Sequence, residues 1–87
     1  MMTRPPLLTI IIPTYNWSTV LPYSISSALR QTFSDFEVLV IGDGCSDDSG
    51  SVVTMHGVRW INLPANTGHQ SAPNNEGLRQ ARGEYIA

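Results

Sequence analysis

The stretch Val38-Leu39-Val40-Ile41-Gly42-Asp43-Gly44-Cys45-Ser46-Asp47-Asp48-Ser49-Gly50 decides the fold. Four apolar, mostly β-branched residues run without a polar break into an aspartate flanked by glycines. Such a run reads as a strand buried on both faces, the pattern of a parallel sheet covered by helices. Asp43 then falls just past the carboxyl end of that strand, which the sequence predicts over Phe36 to Ile41. In open α/β sheets ligands bind in the crevice outside the carboxyl ends of the strands. The acid stands where a ligand would sit.

Reading outward toward the N-terminus, Leu7-Leu8-Thr9-Ile10-Ile11-Ile12 is a second run of the same kind and stops at Pro13. Between the two strands, Leu21, Ile25, Ala28 and Leu29 recur at helical spacing. Ser18 or Thr19 is placed to cap that helix, and Pro22 falls in its first turn, where a missing N–H costs little. Thr32-Phe33-Ser34-Asp35 is turn material.

Toward the C-terminus, Asp47 to Met55 reads as a short helix opened by Ser46, weakened by Gly50 and the adjacent Val52 and Val53. Val58 to Leu63 alternates and predicts a third strand. Pro64 to Ser71 is a loop, and a helix follows from Ala72 to Arg82 with Leu78 and Ala81 facing inward. Gly83 ends it, and Glu84 to Ala87 begins a fourth strand. Strand–helix alternation of this kind predicts an α/β fold with a mostly parallel sheet of about four strands, flanking helices and right-handed crossovers. A strand stopping at the last residue leads us to expect the N-terminal portion, residues 1–87, of a longer protein, truncated at strand four. An unpartnered fourth strand would leave an exposed edge, so self-association through that edge is a further expectation.

Composition narrows the function. The 87 residues are 41% hydrophobic and 14% charged, with a net charge of −2, which fits one small globular unit. The basic residues are arginines scattered along the chain, so no phosphate-tracking stripe exists and nucleic acid is excluded as a partner. Cys45 is the only cysteine, which rules out an internal disulfide framework and fits a reducing compartment. Leu7 to Ile12 is too short to span a membrane, and Pro13-Thr14-Tyr15-Asn16 follows it instead of a small-x-small cleavage site. The expectation is a cytoplasmic protein with no membrane span here.

Asp43 and Tyr15 lie past adjacent strand ends and face one crevice. Tyr15 offers an aromatic face and Asp43 an acceptor for a ligand N–H, which together suit a nucleobase. The alternative is that Asp43-Gly44 is only turn chemistry and Asp47-Asp48 only charge at a helix start. Rival motifs fail on the letters. A haloacid-dehalogenase-type phosphatase would need an aspartate where Ile41 stands, and a receiver domain would need acids after strand one. Phosphate-binding and dinucleotide loops need glycines there, and none is present. No histidine, cysteine and carboxylate spacing makes a zinc site.

The sequence resembles the nucleotide-binding half of family-2 inverting glycosyltransferases of the three-layer, Rossmann-like GT-A fold. The resemblance rests on TIIIPTYN from Thr9 to Asn16, SALRQTFSDFEVLVIGDGCSDDS from Ser27 to Ser49, and NTGHQSAPNNEGLRQARGEYIA from Asn66 to Ala87. Each matches a family motif, in the right order, over nearly the whole chain. The resemblance implies that Pro13, Thr14, Tyr15 and Asn16 hold the nucleotide base of a nucleotide-diphosphate sugar, a UDP-sugar above all. It implies that Asp43 accepts the base N–H, and that the segment from Gly68 to Asn75, carrying His69 and Asn74, approaches the base, ribose and diphosphate. It implies inverting sugar transfer to an acceptor hydroxyl with a divalent metal, Mg or Mn. The family's metal-binding Asp-x-Asp and its catalytic base follow strand four, so neither a catalytic residue nor a metal ligand is expected here. Two departures stand out: Gly42 where many relatives have a first acid, and Asn74 where an arginine often precedes the asparagine. The rival reading is a non-catalytic Rossmann-like binding module. Trp17 is expected to cap the packing of the first helix, Trp60 to cover a sheet face, Cys45 to fill a loop and His56 to be solvated.

Overall fold

The computed structural model of the chain describes residues 6–30, 35–69, 71–83, 85 and 86. Its elements alternate: β1 (Leu8–Thr14), α1 (Leu21–Leu29), β2 (Phe36–Gly42), α2 (Ser49–Met55), β3 (Arg59–Asn62), α3 (Ser71–Gln80) and β4 (Tyr85–Ile86). The strands form one sheet in the order β3-β2-β1-β4, with every pairing parallel. The expected turn at Thr32-Phe33-Ser34 and the ends of the expected fourth strand, Glu84 and Ala87, lie outside the described residues.

Strand periodicity assigns the two faces. Val38 and Val40 join Leu21, Ile25 and Ala28 of α1 and Val53 of α2 in one buried cluster, with Ile10 and Ile12 packed against it. Leu39 and Ile41, both wholly buried, point to the opposite face. There Ile11, in register with Leu39, meets Gly77 of α3, where an added Cβ would stand 2.7 Å from the isoleucine side chain. The result is three layers: α1 and α2, the sheet, then α3. Each of the fully buried aliphatic side chains contributes about 1.5–3 kcal/mol relative to exposure.

Several expectations shift at element ends. β1 does not stop at Ile12 but runs on through Pro13 to Thr14. The reason is which way Pro13 points. Asp43 N–H donates to Thr14 O and Tyr85 N–H to Leu7 O, so even positions of β1 face β2 and odd positions face β4. Among the described residues β4 pairs with Leu8 and Thr9, so the N–H that Pro13 lacks takes no ladder bond from β2 and none from the described part of β4. The helix α1 is not capped by Ser18 or Thr19; its N-cap is Val20, without a side-chain cap. Trp17 O instead accepts from the N–H groups of Val20 and Leu21. The helix α2 starts at Ser49 rather than Asp47, because Ser46 and Asp47 are tied to Asn16 in the preceding loop.

On α3, Leu78 is exposed and Pro73 and Gly77 are the buried residues. The close approach of Gly77 to Ile11 sets the inward face, one position away from the expected one. Leu29 is also exposed. Trp60 packs against the main core cluster as a sheet-face cover. His56 is half-buried at the end of α2, with Nδ1 2.9 Å from Val52 O. No helix among the described residues is long and apolar enough to cross a membrane.

At the end of the sheet away from the strand tips, Glu37 gathers donors from three elements. It accepts from Thr9 Oγ1 (2.7 Å), Arg82 N–H (2.8 Å) and Arg59 Nη1 (3.0 Å). Gly83 N–H in turn donates to Thr9 Oγ1, and Arg59 also donates to Gln80 O. This network fixes the exit of α3 against β1, β2 and β3.

Candidate functional site

The site forms at the carboxyl ends of β1 and β2. Thr14 and Gly42 are in register there, and Asp43 N–H, one residue on, donates to Thr14 O at 2.8 Å. Above them opens a cleft of about 480 Å³ lined by Pro13, Thr14, Tyr15, Trp17, Asp43, Asn66, Gly68, His69 and Pro73. That volume lies within the few hundred to about 1,000 Å³ usual for small-molecule sites.

Asp43 is 4% exposed and heavily bonded. Oδ2 accepts from Asn66 Nδ2 at 3.2 Å, Thr67 N–H at 3.1 Å and Gly68 N–H at 3.2 Å. Thr67 Oγ1 lies 2.8 Å from Oδ1 and 2.9 Å from Oδ2. This carboxylate staples the 66–68 loop to the end of β2 and also lines the cleft. Gly44 makes the staple possible. It has φ +72°, and a Cβ there would stand 2.4 Å from the Asn66 nitrogen.

Six of the nine residues expected at a nucleotide line the cleft: Pro13, Thr14, Tyr15, Asp43, Gly68 and His69. Asn16, Asn74 and Asn75 do not. Asn16, next to Tyr15 but outside the cleft lining, adopts the left-handed region, φ 47°. Its Oδ1 accepts from Ser46 N–H at 2.8 Å and Asp47 N–H at 3.2 Å, which binds the loop after β1 to the loop after β2. Asn74 and Asn75 are exposed on the first turns of α3. Trp17, for which an edge contact to substrate is the alternative to helix packing, also lines the cleft, as does Pro73, within the segment expected to approach the nucleotide. Asn66 lines it and Thr67 bonds Asp43 without having been singled out. Their signal was present in part, since Asn66-Thr67-Gly68 opens the third family motif.

His69 is held by its neighbour: Ser71 Oγ lies at hydrogen-bond distance from Nδ1. Asp47 belongs to the scaffold. Slight burial pushes its carboxyl up, but Ser49 through its hydroxyl and N–H, and Ser18 through its N–H, outweigh this and hold it below the usual range. Cys45 is enclosed by Asn62, which accepts from its N–H and donates to its carbonyl. Among the described residues no three histidine, cysteine, aspartate or glutamate side chains converge. The divalent metal implied by the resemblance has no ligand set among them.

The parallel sheet flanked by helices, with its cleft outside the carboxyl ends of the central strands, matches the nucleotide-binding half of GT-A structures such as S. aureus TarS. The chain belongs to glycosyl transferase family 2, whose description residues 9–87 match. It is similar to the uncharacterized glycosyltransferase EpsJ of Bacillus subtilis, with 40% identity over 93% of this chain and 24% of that protein. It is also similar to the GalNAc(5)-diNAcBac-PP-undecaprenol beta-1,3-glucosyltransferase of Campylobacter jejuni, with 37% identity over 93% of this chain and 28% of that one. Among solved structures, S. aureus TarS 1-349 in complex with UDP-GlcNAc superposes with a TM-score of 0.86 at 29% identity, over 92% of this chain and 25% of that one. The chain thus spans about a quarter of the length of these relatives.

Proposed function

We propose that this chain is the nucleotide-binding portion of an inverting glycosyltransferase and holds the nucleotide of a UDP-sugar in the cleft above β1 and β2. The observation that carries the reading is Asp43: a buried carboxylate, 4% exposed, lining a cleft whose other wall is Tyr15. A carboxylate fixed by backbone donors is a charge-assisted acceptor for an imide N–H, and the tyrosine ring packs the base. Gly68 and His69 stand on the side toward ribose and diphosphate, with Asn74 and Asn75 on the adjacent turns of α3.

In the whole protein, the acceptor oxygen forms a bond to the anomeric carbon as the bond from that carbon to the diphosphate oxygen breaks. The acceptor's proton passes to a carboxylate base, and the departing nucleoside diphosphate takes the bonding electrons with inversion. We place that base, and the Asp-x-Asp that would hold a divalent metal, in protein beyond these 87 residues. The residues here bind and orient. The similarity to TarS, crystallised with UDP and with UDP-GlcNAc, supports the choice of uridine.

Titration calorimetry of the chain with UDP, UDP-GlcNAc, CDP and GDP tests the reading. Saturable binding with UDP preferred is the expected result. Equal heats from all the nucleotides, or none from any, would overturn it.

A further inference from the structure

The two oxygens of Asp43 are not equivalent. Oδ2 is held by three N–H donors at 3.1–3.2 Å: the Asn66 side chain and the Thr67 and Gly68 backbone. Oδ1 has one partner among the described residues, the Thr67 hydroxyl at 2.8 Å, which also lies 2.9 Å from Oδ2. The final torsion of an aspartate is broad, and rotation about Cβ–Cγ carries both oxygens together. The three longer N–H contacts on Oδ2 therefore restrain the plane, and the shorter Thr67 contact on Oδ1 tightens it. Each carboxylate oxygen has about two acceptor positions; three donors crowd Oδ2, and Oδ1 keeps one position open. The acceptor with spare capacity is therefore Oδ1, and Thr67 sets its direction.

The hydroxyl has a single proton and three oxygens within reach, Oδ1, Oδ2 and His69 O at 3.1 Å. Its shortest contact is to Oδ1, and a proton placed there leaves the second acceptor position of Oδ1 for a ligand N–H. The same hydroxyl thus joins the base-reading carboxylate to the segment carrying His69.

We propose that Thr67 is a positioning residue that makes Asp43 selective for a base with an imide N–H over one with a lone pair at the same place. This rests on the nucleotide reading above and deepens it. Uracil presents N3–H to Oδ1, whereas cytosine presents an unprotonated N3 that a fixed carboxylate repels. A less restrained carboxylate loses that distinction, because it can turn to the neighbouring cytosine amino group. Thr67 does not need to touch the ligand for this.

The test is calorimetric titration of UDP and CDP into the unaltered chain, Thr67→Val and Thr67→Ser, with thermal melting of each. Thr67→Val keeps the side-chain shape and the backbone N–H to Oδ2 while deleting the hydroxyl. It is expected to weaken UDP by about tenfold, the scale of one hydrogen bond to a charged group, and to leave CDP unchanged or improved, so that the UDP/CDP ratio falls. Thr67→Ser should restore the ratio. Equal weakening of both nucleotides with a lowered melting temperature, or no change in the ratio, would overturn the role of Thr67 while the nucleotide site stands. If the unaltered chain shows no preference for UDP, the nucleotide reading fails and this proposal falls with it.

Discussion

The indole edge of Trp60 fills the space beside Gly42: a Cβ built on Gly42 would stand 2.5 Å from Cη2 of that ring. It would also stand 2.6 Å from Asn62 Oδ1 and 3.0 Å from Cys45 Sγ. The other edge of the indole lies over Gly50 in α2, with Nε1 2.9 Å from a Cβ built there. The ring is wedged between β2 and α2, so the position before Asp43 has no room for a larger side chain. Gly42→Ala is expected to cost about 1–3 kcal/mol, the range for overpacking, and to lower the melting temperature. Trp60→Leu in the same chain should reduce that cost. Strict additivity of the two changes in denaturant titrations would show that the residues are not coupled in this way.

Glu37 predicts how stability depends on pH. Burial raises its carboxyl, but the Thr9 hydroxyl, the Arg82 N–H and Arg59 together outweigh this and hold it below its ordinary value of 4.5. A depressed pKa means that folding favours the charged form, so the stabilisation is complete above the unfolded value and disappears as pH falls through the folded one. Stability from this group should be flat from pH 7 to about 5 and fall below about 4.5. Glu37→Gln should be less stable at neutral pH by about 1.5–3 kcal/mol. It should also melt with a shallower acid dependence than the unaltered chain. Parallel pH profiles for the two would remove Glu37 from the account.

How much of this was legible in the sequence depends on how local the cause is. β2 was readable because a run of apolar residues is forced by burial on both faces, and Asp43 because it follows that run directly. The path of β1 through Pro13 was not, since it depends on which neighbour strand the proline faces. Ser18 looked like a cap because caps are local, yet its N–H donates to Asp47, 29 residues away. Leu78 looked inward by apolarity, but the helix settled on Gly77 because closeness to Ile11 gains more contact there. The roles of Asn66 and Thr67 were hidden for a similar reason: their partner lies 23 and 24 residues back, across β3.

Asn16 should matter to the cleft without lining it. Its side chain receives Ser46 and Asp47 N–H groups, and its φ of 47° suits asparagine or glycine. Asn16→Ala loses both bonds and adds left-handed strain of about 1–2 kcal/mol, whereas Asn16→Gly loses the bonds alone. UDP affinity should fall for both variants, and stability should fall further for alanine. An alanine variant as stable as the glycine one would mean that the backbone at this position relaxes.

The two tryptophans give separate optical reports. Trp17 is 65% exposed at the lip of the cleft, while Trp60 packs against the core cluster. Trp17 is fixed in place by its carbonyl, which closes the turn into α1. Adding UDP should change the emission of the unaltered chain and of Trp60→Phe, but not of Trp17→Phe. A response that survives Trp17→Phe and vanishes in Trp60→Phe would move the nucleotide out of this cleft.

The 87-residue chain should bind nucleotide without transferring sugar. Inverting displacement needs a carboxylate within hydrogen-bond reach of the acceptor hydroxyl, and that base is worth about 10²–10⁴-fold. The described acids are either engaged elsewhere or placed away from the sugar end of the cleft. Asp43 carries three N–H donors and the Thr67 hydroxyl. Asp47 is taken by Ser18 and Ser49. Glu37 sits in the network at the far end of the sheet, and Glu76 pairs with Arg79 at 2.7 Å on the outside of α3. Asp48 is exposed, on the α2 side of the sheet and outside the cleft lining. Asp35 lies at the amino end of β2, where its carbonyl accepts from Leu7, one sheet length from the strand tips. A donor held with its base at Asp43 would have its anomeric carbon beyond the diphosphate, out of reach of that carboxylate. A transferase assay with UDP-GlcNAc, Mn²⁺ and hydroxyl acceptors should therefore give no turnover from the chain that binds UDP by calorimetry. Steady sugar transfer, abolished by Asp48→Asn, would place the base within these residues and overturn the assignment of Asp43 to the nucleobase end.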